Sequence, residues 1–269
     1  MTSWADRAGR TGRFLWSVWS GLAGLMLLAA LWQFGHETYG DFILPSPLAT
    51  FHRAIALLGD ANTWRLTFLT TRRALKGFAI AAAFGAALGL AAGYFAAVLR
   101  LARPLVTVLL GVPPIAWIVL AMIWFGSTDG TVALTILVSS SPLIFVSVAE
   151  GILMRDRKLD DMARAFGARG LKRLTTLSLR HVSSYLFPAL AVSLGSAFKV
   201  GIMAELLANV GGIGGELARS RANLDIAGSL AWILIAVTAL IVIEYGLIHP
   251  VRAEFERWRV AAQPWGVKR

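Results

Sequence analysis

Long apolar runs recur from one end of this chain to the other, and they constrain its fold more than any other feature. They cover residues 14–35, 75–99, 104–125, 130–153, 185–208 and 228–249. Each is near the roughly 20 residues that a helix needs to cross a bilayer's hydrocarbon core. No water inside that core can bond exposed N–H and C=O groups, so runs of this length must be helical. Hydrophobic residues fill 57% of the 269 positions and charged residues only 15%, which leaves no room for a soluble domain of ordinary size. The expected fold is all-α and integral to a membrane, with six transmembrane helices. The first run follows Arg7, Arg10 and Arg13 like a signal peptide. It exceeds the roughly 7–15 residues of a signal h-region and reads as an uncleaved anchor.

A net charge of +11 would suit nucleic acid, but the basic residues fall mainly between the apolar runs, which is a topology signal. With the N-terminus inside, eighteen of the 26 Lys and Arg side chains lie on the inner side and seven on the outer, with Lys199 within a span. Both termini inside therefore satisfies the positive-inside rule. Arg72, Arg73 and Lys76 cluster on the sparse outer side. The absence of cysteine excludes disulfides, thiolate metal sites and Cys nucleophiles. The four histidines have no metal-ligand spacing, so no metal site is expected.

Between the first two runs, Pro45-Ser46-Pro47 breaks the chain, and Phe51, Ile55 and Leu58 then form a helical apolar stripe suited to an interfacial helix. Within the second run, Gly85, Gly89 and Gly93 recur every four residues and stack on one helix face, where a neighbouring helix can approach closely. Pro113-Pro114 and Ser139-Ser140-Ser141-Pro142 should kink the third and fourth spans. Such kinks either line a pathway or serve packing. Lys199 and Glu205 are the ionisable residues well inside the runs, and six positions of separation put them on different helix faces. A cation facing a pathway would suit an anionic substrate, whereas Glu205 stands close enough to its helix end to be solvated there.

The largest inner loop, 155–184, carries an amphipathic pattern: Leu159, Met162, Ala163 and Phe166 share a face, Gly167 permits a turn, and Leu171, Leu174 and Leu177 begin a second stretch. The segment from Asp161 to Ala168 resembles the "EAA" loop of permeases in binding-protein-dependent ABC importers, with Asp161, Ala163 and Gly167 at the motif's acidic, small and glycine places. Other stretches resemble the nitrate/sulfonate/taurine-type permeases in order and spacing: Phe42 to Pro47, Val112 to Trp117 followed by Trp124-Phe125-Gly126, and Lys199 through Glu205 to Gly214. The chain departs from the family at Asp161, where Glu is usual, and at Arg180 and Ser184, where prolines are common.

The resemblance implies a type I ABC importer permease fold with a periplasmic interfacial helix and cytoplasmic coupling helices. It divides the chain into a tail, first helix and linker (1–67), a permease domain (68–250) and a cytoplasmic tail (251–269). It makes Asp161, Ala163, Arg164, Phe166, Gly167 and Ala168 the residues that dock on an ATPase. Pro113, Pro114, Trp117, Ser140, Lys199 and Glu205 become candidates for the translocation pathway. Implied partners are a second permease chain, in a homodimer, two cytoplasmic ATPase subunits and a periplasmic or lipid-anchored binding protein, all at a bacterial inner membrane. The chain would bind no cofactor. It contains no G-x-x-x-x-G-K-[ST] sequence, so Mg-ATP would belong to the partner ATPase. The substrate class implied is a small anionic or organic solute such as nitrate, a sulfonate or taurine. A secondary transporter would need ion-coupling acidic residues or an inverted repeat, and a membrane-embedded enzyme would need converging His, Cys or carboxylate groups. The sequence offers neither.

Overall fold

The computed structural model describes residues 4–154, 162, 165 and 179–248, and every regular element among them is helical. In chain order they are α1 (Trp4–Tyr39), α2 (Pro47–Leu58), α3 (Ala61–Tyr94), α4 (Ala96–Gly111), α5 (Pro114–Phe125), α6 (Asp129–Leu153), α7 (Leu179–Ala208), α8 (Ile213–Ala222) and α9 (Ile226–Ile243), the last continued by a π turn, Glu244–Ile248. Ala61–Tyr94, Asp129–Leu153, Val182–Ala208 and Ile226–Gly246 are long and apolar enough to cross a membrane, and the bent pair α4–α5 makes a fifth crossing if counted as one span. The first expected span, 14–35, falls within α1. The boundary expected at 67/68 falls inside α3, which runs unbroken.

α3 and α6 lie side by side and run in the same direction, so close that glycine is required between them. A Cβ on Gly85 would stand 2.6 Å from the Ser141 carbonyl oxygen, one on Gly89 2.7 Å from that of Phe145, and one on Gly93 2.6 Å from the Ile152 Cβ. With no side chain to hold the backbones apart, α3 rests against the other helix's main chain, the usual device where apolar lipid offers no hydrophobic drive for association. α7 packs antiparallel on α6, where Val182 meets Ile144, Val148 and Ile152 at one end and Ala197 and Ala204 meet Val132 and Ile136 towards the other.

The third expected span, 104–125, needs correction. It is two helices joined at a 98° bend, not one kinked helix. A proline forces the residue before it out of the α region, so Val112 (φ −84°, ψ 126°) and Pro113 (φ −59°, ψ 141°) are both extended. Two consecutive positions without helical geometry end α4, and Pro114, suited to a first helical turn, starts α5. By contrast α6 continues through Pro142, and α7 through Pro188. A lone proline removes one amide donor but leaves the bonds on either side intact.

The Pro45-Ser46-Pro47 break is held from both sides. The Ser46 Oγ accepts from the Ala49 amide at 3.1 Å and caps α2. The Trp32 indole N–H donates to the Pro45 carbonyl at 2.9 Å, and His36 Nδ1 pairs with the Leu44 carbonyl at 2.8 Å. α2 buries Thr50 and Ala54 and leaves Leu48, Phe51 and Ile55 exposed.

Candidate functional site

At 34 residues α3 is about 51 Å long at 1.5 Å per residue, well beyond a 30 Å hydrocarbon core. Its segment from Gly77 onward, about 27 Å, suffices to cross. Arg72, Arg73 and Lys76 thus stand at the end of the bundle where α3 begins, level with the end of α7 near Ala208. At this charged end lies a buried knot of polar groups that the sequence reading missed.

Glu205, on the last turn of α7, is 0% exposed. Its Oε1 accepts from Arg73 Nη1 at 2.9 Å. Its Oε2 accepts from the Thr70 hydroxyl at 2.7 Å and from the Gly214 amide at 3.1 Å. Thr70 in turn accepts from the Ile213 amide at 2.9 Å. Arg73, whose side chain is 11% exposed, also donates to the Gly211 carbonyl and, through Nη2, to Asp129 Oδ1 at 2.5 Å. One carboxylate and one guanidinium thereby join α3, the first residue of α6, the end of α7 and the turn into α8. Both charges are opposed and hydrogen-bonded, the condition on which buried ions are tolerated.

The glycines after α7 follow from that carboxylate. Gly212 has φ +143°, and a Cβ there would lie 2.4 Å from Glu205 Oε2. A Cβ on Gly214 would lie 2.3 Å from the Ile202 carbonyl oxygen. The chain must wrap the Glu205 head closely for its amide to reach an oxygen, so only glycine fits. The same end carries an open cleft lined by Arg53, Asp60, Asn62, Glu216, Arg219 and Asp225. Arg53 and Asp225 form a 3.5 Å ion pair across it.

The remaining candidates are dispersed. Pro113 and Pro114 form the α4–α5 break. Trp117 lies on α5 beside Ile118, which packs against α6 and α7. The Trp117 Nε1 and the hydroxyls of Ser139, Ser140 and Ser193 are buried without hydrogen-bond partners among the described residues. The Thr67 hydroxyl and Arg73 Nε on α3 are in the same condition, so such groups, rare in packed interiors, are spread over α3, α5, α6 and α7. Lys199 is exposed on a different face of α7 from Glu205, so the structure does not bring the two together. The six loop residues Asp161, Ala163, Arg164, Phe166, Gly167 and Ala168 lie outside the described residues. Their neighbours Met162 and Ala165 are helical and exposed.

Two signals could have found the knot. An acid buried in a membrane helix demands a cation, and the unpaired excess of positive charge at Arg72, Arg73 and Lys76 supplied the one nearby set.

Comparison with known proteins gives a consistent result. The family described as "Binding-protein-dependent transport system inner membrane component" matches residues 83–249. A probable ABC transporter permease protein of Brucella melitensis biotype 1 is 26% identical over 206 residues, 77% of this chain and 80% of that protein. The bicarbonate transport system permease protein CmpB of Synechococcus elongatus is 26% identical over 205 residues, 72% of this chain and 73% of its own length. The taurine transport system permease protein TauC of Escherichia coli is 24% identical over 238 residues, 87% of this chain and 82% of its own.

Proposed function

The chain belongs to the family of binding-protein-dependent transport system inner membrane components, the permease subunits of ABC transporters, and we propose that it forms the translocation pathway of an importer for a small oxyanion-bearing solute. The family match over residues 83–249 carries this reading, because it takes in the broken α4–α5 pair, α6, the inner loop, α7 and α8 as one unit.

In this account α1 supplies a sixth crossing, α2 lies along the outer interface, and both termini are cytoplasmic at a bacterial inner membrane. Two copies of the chain enclose the pathway. A periplasmic or lipid-anchored binding protein delivers the solute to the charged end, where α8 and the cleft between Arg53 and Glu216 offer a polar face. Two ATPase subunits bind Mg-ATP at the opposite end and grip the loop through Asp161, Ala163, Arg164, Phe166, Gly167 and Ala168. Their closure pulls on that loop and switches the pathway between inward and outward access. The permease performs no covalent chemistry; it is a two-state element biased by partners on both faces.

The broken α4–α5 pair supports a pathway that runs beside this bundle, along the faces of α5 and α7 that the chain itself leaves uncovered. A backbone break is tolerated at membrane depth where it is covered by protein or lines a water-filled space. Glu205 takes a different role here, anchoring the turn into α8. The substrate class rests on the relatives named for bicarbonate and taurine transport, since both solutes carry an oxyanion group.

The test is co-purification. The chain is co-expressed with candidate ABC ATPases, as wild type and as Gly167→Asp. The account expects wild type to retain an ATPase and the variant to lose it while accumulating normally in the membrane. A wild-type chain that holds no ATPase yet moves solute alone in liposomes would hand the function to a secondary transporter.

A further inference from the structure

α7 has one uncovered stripe. Ser184, Pro188, Val192, Lys199 and Met203 follow one another at intervals that keep them on a single helix face, and all are exposed, while Ser193, Ala197, Val200 and Ala204 on the far side are buried. Lys199 lies nine residues from the end of α7 at Ala208, a depth of about 13 Å at 1.5 Å per residue, which is near the middle of a hydrocarbon core about 30 Å thick.

An ammonium at that depth cannot be left facing acyl chains; it needs an acid, a water-filled space or an anion. Among the described residues Lys199 has no ion pair or hydrogen bond. The acid on the same helix, Glu205, is taken up by Arg73 on another face. Elsewhere the exposed faces at membrane depth carry side chains that suit lipid, such as Leu105 on α4, Ile123 on α5 and Val237 on α9. The turn preceding Lys199 is small and open: Ser196 brings a hydroxyl, and a Cβ on Gly195 would meet nothing within 4 Å.

We propose that Lys199, Ser196 and the open backbone at Gly195 form a water-facing transit site for a small oxyanion, a carboxylate, sulfonate or bicarbonate group, within the pathway. The site rests on the permease reading and gives it a contact residue. The ammonium offsets the solute's charge at mid-membrane, the serine hydroxyl donates to one oxygen, and the missing side chain at Gly195 leaves space for the anion. A single weak site of this kind lets the solute pass, where a deep enclosed one would trap it.

The chain contains no cysteine, so a single Ser196→Cys substitution reports without background. In vesicles holding the complete transporter, that thiol is titrated with anionic sulfonatoethyl methanethiosulfonate and with its cationic trimethylammonioethyl analogue. The anionic reagent is expected to react faster relative to the cationic one than either does with a free thiol. Adding Lys199→Gln should lower that ratio on the order of tenfold, and Lys199→Arg should preserve it. A ratio unchanged by Lys199→Gln, or a thiol inert to both reagents while the ATPase stays bound, overturns the site and leaves the permease reading standing. A chain that retains no ATPase in the same preparation sinks both.

Discussion

Removing the Glu205 carboxylate should destabilise the bundle far more than removing Asp129, although Arg73 contacts both. Glu205 is 0% exposed and accepts from Arg73, Thr70 and Gly214. Glu205→Ala leaves a guanidinium facing one partner fewer inside the protein and strands the Gly214 amide. Breaking a buried pair from one side costs about 3–5 kcal/mol. Glu205→Gln keeps the shape, but its amide NH2 must face either Arg73 or the Gly214 N–H, donor against donor, at a cost of about 1.5–3 kcal/mol. The Asp129 side chain is 62% exposed, so Asp129→Asn should cost under about 1 kcal/mol. At about 2–4 °C per kcal/mol for a chain of this size, Glu205→Ala should lower Tm by about 6–20 °C and Asp129→Asn by no more than about 4 °C. Thermal unfolding of the detergent-solubilised protein, followed by tryptophan fluorescence, reads the three values. Equal losses for Glu205→Ala and Asp129→Asn, or the reverse order, would refute the view that burial makes this carboxylate the anchor.

Gly212→Ala should cost at least about 2 kcal/mol, from strain at φ +143° and from collision with the Glu205 carboxylate. Because the two positions share one contact, its effect should add poorly to that of Glu205→Ala when the double variant is melted. Gly89→Val should force α3 away from the Phe145 carbonyl and lower Tm, whereas Gly24→Ala, with nothing within 4 Å of its Cβ position, should leave Tm within about 2 °C. Replacing Pro113 and Pro114 together by alanine should let α4 and α5 approach one continuous helix. Spin labels at Leu105 and Ile123 would then move apart, and an unchanged separation would show that packing, not proline chemistry, sets the bend.

The parts of this fold that repeat were readable from the chain, and the parts that join distant segments were not. Apolar runs mark helices because a bilayer allows little else, and the spacing of Gly85, Gly89 and Gly93 puts them on one face whatever stands opposite. Pro113-Pro114 announces a disturbance, but the 98° angle depends on where α5 finds packing, with Ile118 against Ile136 and Ala197. The knot is harder to see. Arg73 and Glu205 are 132 positions apart, and only three dimensions bring the basic cluster on the sparse side opposite the buried acid. Gly212 and Gly214 look like loop glycines until the carboxylate they wrap is in place. Of the inner loop expected at 155–184, the described residues are Met162, Ala165 and those from Leu179 onward, where α7 already begins, six residues before the span expected from 185.

ATP-driven uptake by the reconstituted complex tests the central claim most directly. Proteoliposomes would hold the chain with its co-purified ATPase, with Mg-ATP inside and the binding protein with radiolabelled taurine or bicarbonate outside. The account predicts accumulation of a solute of this oxyanion class that needs ATP, the binding protein and an intact Gly167 together. Uptake that proceeds equally without ATP or without the binding protein would contradict it.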